Sequence, residues 1–195
     1  MAATENILHE GKAFTNIDYS DKKLSNREFV KCVFDSCNFS NSDLGGNDFM
    51  DCRFKNCNLA MAKVKNSGLN NALFSGCKIM GVDFSECNRF LFSFKFENCV
   101  LDYSTFVRTK MKGTHFMNTS LKQVDFEGTD LTGAVFKDCD LSEAAFINSN
   151  LERTDFSTAR HFSIDPNLNK MKSANFSYRE LAGLLHKYQL NITFD

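Results

Sequence analysis

Large apolar residues recur at every fifth position along most of this 195-residue chain. A first run extends without a miss from Phe14 to Phe84, and a second run extends from Leu91 to Phe156. On an α-helix, five steps of about 100° would leave successive copies about 140° apart, and in a straight strand five steps reverse the face. The chain must therefore turn at every copy, because only then do the large residues share one interior.

The composition follows from this repeat. Sixteen of the 21 phenylalanines lie on the two runs when Phe176 is included, and the chain has one proline and no tryptophan. The 23 basic and 24 acidic residues give a net charge of -1, which disfavours general binding to nucleic acid. No uncharged apolar stretch approaches the roughly 18 residues that span a bilayer, and the N-terminus does not resemble a signal peptide. We therefore expect a cytoplasmic protein without a membrane segment.

The position two residues before each large residue holds a small side chain, such as Cys32, Ala72 or Thr129. Residues two apart in extended backbone face the same way, so both point inward. If each five-residue unit forms one side and a corner, four units close a square coil of 20 residues, and coils stack about 4.8 Å apart. Asp or Asn often separates the two inward residues, as at Asp43 and Asp130, where it favours a turn.

Units such as Ser42-Asp43-Leu44-Gly45-Gly46 and Thr129-Asp130-Leu131-Thr132-Gly133 resemble the pentapeptide-repeat proteins. The motif of that family is a small residue, Asp or Asn, Leu or Phe, and then two polar residues. The resemblance covers residues 14–176 and implies an all-β fold, a right-handed quadrilateral β-helix. The units of the first coil depart from the motif, because the small position holds Lys12, Ile17, Lys22 and Arg27.

The repeat divides the chain into an N-terminal segment (1–13), a β-helix (14–176) and a C-terminal helix and tail (177–195). Two residues are inserted at a slip in residues 85–91, and the coil at 160–170 is irregular because His161 and Pro166 occupy large positions. Two alternatives stay open at the slip. In the first, a bulge absorbs the two inserted residues. In the second, the register of the first run persists locally to Phe94, which lies 20 residues after Phe74. Which aromatic residue between Phe90 and Phe94 enters the core also stays open.

The C-terminal segment has the pattern of a helix. Ser177 and Glu180 match a capping box, and an apolar stripe follows at helical spacing. We predict a short α-helix that caps the last coil. The arrangement also resembles Qnr-like quinolone-resistance members of the family, which implies a homodimer through this helix; whether the helix only caps or also dimerises stays open. The candidate dimer contacts are Leu181, Leu184, Leu185 and Tyr188.

No motif for catalysis or for binding a metal or cofactor stands out. All eight cysteines lie at inward small positions, and His9, His115, His161 and His186 are scattered. The sequence lacks a CxxC pair, a P-loop, a GxGxxG motif and a nucleophile elbow, and a solenoid packed with Phe and Leu leaves no concave pocket. We predict free, buried cysteines, no enzyme activity, no cofactor and no metal site.

Residues 123–156 hold eight acidic residues and two basic ones, a local net charge of -6. By the 20-residue period, two of the acids fall on each side, so they surround the rod rather than form one face. Four of them lie away from the position that favours turns and are the candidate partner-binding residues: Glu127, Asp138, Glu143 and Glu152. With Asp125, Asp130, Asp140 and Asp155 they form what we call the acidic belt.

Two functions are compatible with these patterns. The resemblance to Qnr-like members implies a non-enzymatic rod that mimics DNA, binds the type II topoisomerases DNA gyrase or topoisomerase IV and modulates quinolone action. The alternative is a structural or scaffold module for an unrelated protein partner, in which the belt only keeps the rod in solution. Neither function involves direct contact with nucleic acid or a membrane.

Overall fold

The protein is a parallel β-solenoid in a computed structural model that describes residues 6–90 and 92–193. Twelve strands form a continuous sheet in which each strand pairs with the equivalent strand of the next coil. This architecture confirms the predicted β-helix. The strands are β1 (Ile7–Glu10), β2 (Ala13–Thr15), β3 (Arg27–Val30), β4 (Val33–Asp35), β5 (Asp48–Met50), β6 (Arg53–Lys55), β7 (Gly68–Ser75), β8 (Phe92–Glu97), β9 (His115–Met117), β10 (Val135–Lys137), β11 (Asp155–Phe156) and β12 (Asn175–Phe176).

The pairing register equals the predicted length of one coil. Phe34 lies beside Phe14 in one neighbouring coil and beside Phe54 in the other, each 20 residues away. Isolated bridges continue the same offset outside the strands, as between Asp125 and Ala145. Backbone N–H groups on the sides, such as those of Asp125 and Phe126, therefore bond to carbonyl oxygens of the two neighbouring coils, which stabilises strands too short to persist alone.

Stacked phenylalanine rings form the centre of the core. On one side of the coil nine rings make an unbroken ladder from Phe14 to Phe176, with centroids 4.8 to 5.4 Å apart. Rings from another side meet this ladder edge-on, as Phe126 meets Phe136 at 84°. Offset and edge-to-face contacts of this kind add to the free energy of burying the rings.

The inward small residues fill the remaining space and form hydrogen bonds to the backbone. The Thr129 hydroxyl donates to the carbonyl oxygen of Phe106 at 2.7 Å, and the Ser149 hydroxyl donates to that of Phe126 at 2.8 Å. The Cys139 thiol makes the equivalent contact with Phe116 at 3.4 Å. Ser, Thr and Cys are therefore interchangeable here, because each is small and each donates one hydrogen to a buried carbonyl.

The slip is a bulge between β7 and β8 that carries two extra residues. Phe74 pairs with Phe96, 22 positions away, and the register shifts between the Leu69 and Ala72 pairings. Thus the older register does not persist to Phe94, which instead pairs with Ala72 and enters the core at a small-residue position. Phe90 is exposed. Leu91, where the second run was predicted to resume, lies outside the described residues.

The sheet begins earlier than the predicted start of the solenoid at Phe14. The strand β1 already pairs with β3, and the His9 ring stacks on Phe29 at 4.9 Å. The first coil forms although Lys12 and Lys22 stand at its small positions, because both side chains are exposed. These side chains can point away because no described coil lies below them.

The irregular coil at 160–170 keeps its place in the ladder. Arg160 and Lys170 still bridge to residues 20 positions earlier, while Phe162 and Ile164 are buried in place of the residues at the expected large positions. A 3-10 turn follows at Pro166–Leu168, and the Asp165 side chain accepts a hydrogen bond from Asn167 N–H at its start.

The predicted C-terminal helix is present, but its turns are 3-10 rather than α: Tyr178–Leu184 and His186–Tyr188. Ile164 N–H donates to the carbonyl oxygen of Gly183 at 3.0 Å, so that oxygen bonds to the coil instead of continuing an α-helical ladder. A Cβ at position 183 would clash with the carbonyl oxygen of Phe162, so glycine allows this close packing. In residues 6–90 and 92–193, no helix has the length and apolar character that a bilayer crossing needs.

Candidate functional site

Many corners of the solenoid are stabilised by an Asp or Asn that precedes the large side chain. Its side-chain oxygen accepts a hydrogen bond from the N–H group two positions further on, at 3.0 Å from Gly45 to Asp43 and at 2.8 Å from Glu127 to Asp125. This is the Asx turn predicted from the sequence. Half of the acidic belt makes this contact and therefore has a role in the fold: Asp125, Asp130, Asp140 and Asp155.

A second feature of the corners was missed in the sequence. The residue two positions after the large side chain has a positive φ at most corners, such as 57° at Asn66 and 67° at Gly133. Glycine and asparagine adopt this left-handed conformation at the lowest free-energy cost. Their frequent occurrence at this position of the unit is the signal that predicts it.

The four candidate partner-binding residues point outward from different parts of the coil and do not form a cluster. Glu127 and Glu152 are half-buried and each directly follows a large core residue on a different side. Asp138 and Glu143 are exposed at two other corners, with φ of 54° and 58°. The Glu143 carboxylate accepts a hydrogen bond from the Gln123 amide at 2.7 Å. The arrangement presents negative charge around the rod and holds no pair of carboxylates for acid–base chemistry.

Two of the turn carboxylates are partly neutralised by nearby cations. Lys112 Nζ lies 3.3 Å from Asp130, and Lys122 Nζ lies 3.2 Å from Asp140. Partial burial raises the pKa of Asp140, but hydrogen bonds from Ser142 and His161 and the contact with Lys122 outweigh it, so the pKa lies well below its usual range. The other six carboxylates of the belt have no cation within 4.0 Å in the described residues, and four of these six are the candidate partner-binding residues Glu127, Asp138, Glu143 and Glu152.

The candidate dimer contacts differ in their exposure. Leu184 packs against the core of the last coil, whereas Leu181 is 43% exposed and Leu185 is 38% exposed. Tyr188 is also exposed. Only part of the stripe is thus used by the cap, and an apolar surface remains beyond the last coil.

The cysteines line the interior and are unsuited to ligand binding. All eight are buried and free. Burial raises the pKa of Cys52 and of Cys139 to about 12, so both stay protonated at neutral pH. Within the described ranges, 6–90 and 92–193, no group of three or more His, Cys, Asp or Glu side chains is arranged to hold a metal ion.

Comparisons with known proteins identify the repeat and the fold. A family model described as pentapeptide repeats (8 copies) matches residues 32–71, and one described as a pentapeptide repeat region matches residues 90–156. Together the two matches cover more than half of the chain. A search of curated protein sequences found no match.

Two solved structures of QnrB1, described as a plasmid-mediated fluoroquinolone resistance protein, are similar to this chain. A trypsin-treated variant has a TM-score of 0.65 at 21% identity, over 97% of this chain and 93% of that one. The full-length protein has a TM-score of 0.53 at 15% identity, over 94% of this chain and 100% of that one. At these identities the similarity is one of fold.

Proposed function

The chain belongs to the pentapeptide-repeat family, and we propose that it is a non-enzymatic cytoplasmic rod that binds a type II topoisomerase, DNA gyrase or topoisomerase IV, as a mimic of DNA. Eight coil-to-coil steps of about 4.8 Å give a rod about 40 Å long, which suits a DNA-binding saddle. The fold similarity to a fluoroquinolone resistance protein supports this choice of partner.

The acidic belt is the observation that carries the proposal. Phosphates surround a DNA duplex on all sides, and the belt likewise presents carboxylates on all four sides of a narrow rod. Because Asp138 and Glu143 are exposed at corners, their carboxylates are the most accessible to Lys and Arg side chains of a surface that binds phosphates. The half-buried Glu127 and Glu152 lie between corners and extend the charge along the sides.

A homodimer through the C-terminal cap is part of the proposal. The exposed parts of Leu181, Leu185 and Tyr188 lie on a cap that closes the end of the rod, so a second copy would join end to end. Such a dimer doubles the length of the mimic without covering the acidic belt.

The test replaces the four belt residues by amides: Glu127→Gln, Asp138→Asn, Glu143→Gln and Glu152→Gln. None of them accepts the Asx-turn bond, so we expect the thermal midpoint to stay within the range of ordinary surface substitutions. Gyrase supercoiling, and its inhibition by a fluoroquinolone, are measured with rising amounts of each protein. Wild type should alter at least one readout, and the variant should need about tenfold more protein for the same effect.

A matched control removes the same amount of charge at the other end of the rod: Glu10→Gln, Asp21→Asn, Glu28→Gln and Asp35→Asn. This control should behave like wild type, and raised salt should weaken wild type and control alike. If wild type is inert at a large molar excess over both topoisomerases, the mimic proposal fails and the scaffold alternative replaces it. Equal losses in variant and control would show a general charge effect rather than a belt.

A further inference from the structure

The bulge between β7 and β8 displays a phenylalanine in solvent. Phe90 is 98% exposed, the highest exposure among the large apolar side chains of the described residues. Its backbone N–H donates to the Asn88 side chain at 3.1 Å, so the turn that carries the ring is held by a local hydrogen bond. The whole apolar ring is therefore in contact with water, and burying it against an apolar group of a partner would be favourable.

The other end of the bulge is also anchored. The Ser93 hydroxyl accepts a hydrogen bond from Asn71 N–H at 2.8 Å and donates to the Asn70 side chain at 3.1 Å. On the other side of Phe90, Asn88 N–H donates to the carbonyl oxygen of Ser67 at 2.9 Å, so Asn88 and Ser93 are both bonded to the preceding coil. Such pre-organisation reduces the conformational entropy that is lost when a partner binds.

A cavity of about 260 Å³ lies beside this ring. Its apolar wall is formed by Phe84, Cys87 and Phe92, and Phe92 packs edge-on against the buried Phe94 at 4.6 Å. Cavities that hold drug-sized ligands measure about 300–1,000 Å³, so this one is smaller and suits a single large side chain.

The rest of the lining consists of Phe90, Thr109 and three basic residues: Arg89, Arg108 and Lys110. All three are exposed, and no carboxylate of the described residues lies within 4.0 Å of their charged nitrogen atoms. The lining has no acidic residue. The cavity thus combines an apolar wall with positive charges that are free to bind a carboxylate.

We propose that Phe90 and this cavity, which we call the bulge site, bind an acidic peptide segment of a protein partner. One large apolar side chain of the segment would enter the cavity against Phe84 and Phe92, and carboxylates beside it would pair with Arg89, Arg108 and Lys110. Phe90 would then be covered by the backbone of the segment. The bulge site extends the proposal of a protein-binding rod, and it does not depend on which partner the acidic belt engages.

The observations favour an acidic peptide over a nucleic acid. A nucleic-acid groove needs basic residues spaced along a strand, together with aromatic rings that stack on successive bases. Here three cations surround one cavity instead of following a strand. The apolar wall offers a pocket for a side chain rather than a series of stacking rings.

The test uses fluorescein-labelled peptides and fluorescence anisotropy with the full-length chain. Three peptides carry a central Phe with Asp and Glu before it, after it or on both sides. In matched peptides Asn and Gln replace the acids, and a fluorescein-labelled oligothymidine tests the nucleic-acid alternative. At least one acidic peptide should bind, and its amide counterpart should bind at least about tenfold more weakly.

Substitutions locate the binding. Phe90→Ser, and separately Arg108→Glu with Lys110→Glu, should each weaken the acidic peptide by about tenfold or more. The matched controls are Tyr103→Ser, another exposed aromatic residue, and Lys78→Glu with Lys137→Glu, the same change of charge away from the cavity. The controls should bind like wild type, and thermal unfolding of every variant should confirm that the solenoid is retained.

Three results would overturn the bulge site: no acidic peptide binds, Phe90→Ser binds like wild type, or oligothymidine binds more tightly than every peptide. The amide variant of the acidic belt separates the two proposals. It should lose its effect on gyrase while keeping full affinity for the peptide, so failure of one proposal leaves the other measurable.

Discussion

The rings of Phe74 and Phe96 stack with their centroids 5.3 Å apart and their planes at 18°, although 22 residues rather than 20 separate them. The two extra residues leave the coil at the bulge, so the aromatic ladder continues through it without a gap. Packing in the core has thus determined the pairing register between the two coils. The inserted residues lie at the surface, where they reduce the free energy of unfolding only slightly.

We expect the ladder to dominate stability and the bulge to contribute little to it. Phe96→Ala should lower the free energy of unfolding by about 3–5 kcal/mol, because a fully buried ring is lost and a cavity remains. Phe90→Ala should change it by no more than about 0.5 kcal/mol, since the ring is exposed. Urea unfolding monitored by circular dichroism measures both, and similar losses at the two positions would contradict the assigned registers.

The left-handed corners make a prediction at Gly133. No heavy atom lies within 4 Å of a Cβ built at this position, so a substitution is limited by backbone conformation and not by space. Gly133→Val should destabilise by about 1–2 kcal/mol, whereas Gly133→Asn should cost clearly less because asparagine tolerates a positive φ. Thermal unfolding compares the two variants, and a valine tolerated as well as asparagine would argue against the observed φ of 67°.

Buried thiols should react slowly. All eight cysteines are buried, and burial raises the pKa of Cys52 and Cys139 to about 12, so almost no thiolate of these two side chains is present at pH 8. We expect Ellman's reagent to modify the native protein over hours, and to find eight thiols at once after denaturation in guanidinium. Rapid modification of the native protein, or fewer than eight thiols in reduced material, would be inconsistent with an intact core.

Asp140 should stabilise the protein in a manner that depends on pH. Its pKa is lower in the folded state than the ordinary value of about 3.9, so its contribution is complete above that value and is lost as the pH falls through the folded pKa. Asp140→Asn keeps an acceptor for the turn but loses the attraction to Lys122. The variant should be less stable at pH 7 by about 0.5–1 kcal/mol.

This difference in stability should shrink as the pH falls below about 4, because Asp140 then binds a proton in the unfolded chain but not yet in the folded one, which has the lower pKa. Urea unfolding at several pH values measures it. Glu152→Gln is the control, since no ion pair of Glu152 is present in the described part of the chain. A gap that stays constant down to strongly acidic pH would assign the effect to the turn instead of the charge.

The proposed dimer is best tested at Leu181 and Leu185, which are exposed, and not at Leu184, which packs on the last coil. Leu181→Glu with Leu185→Glu should convert a dimer to a monomer without loss of the solenoid, as measured by light scattering and circular dichroism. Ile147→Glu with Val100→Glu is a control at exposed apolar positions away from the cap. A wild type that is monomeric at every concentration would exclude the dimer.

The sequence predicted those features that repeat and failed where the repeat is broken. The five-residue period specified the coil, the core and the Asx turns, because every unit meets the same packing constraint. It did not decide between Phe90, Phe92 and Phe94, since three equivalent aromatics offer the same hydrophobic gain, and only three-dimensional packing placed Phe94 inside.

The candidate sites were harder to predict for a physical reason. The period assigned Glu127 and Asp138 to different sides, but it gave no information on which carboxylates have cations nearby, as Asp130 and Asp140 do. The bulge site was missed entirely. Arg89 and Lys110 are 21 positions apart, and the two-residue insertion removes the periodic relation by which a sequence pattern would have placed them side by side.

Because the coils away from the bulge pair at a fixed offset of 20 residues, the length of the rod changes in fixed steps when whole coils are added or removed. Deleting 20 residues, such as 116–135, would shorten it by one step of about 4.8 Å and return every later residue to its own azimuth. Deleting five residues would instead rotate everything beyond the cut by a quarter turn. For a partner that binds two distant positions on the rod, the distance between these positions would therefore change in steps of one coil. Their relative orientation about the rod axis would change in steps of a quarter turn.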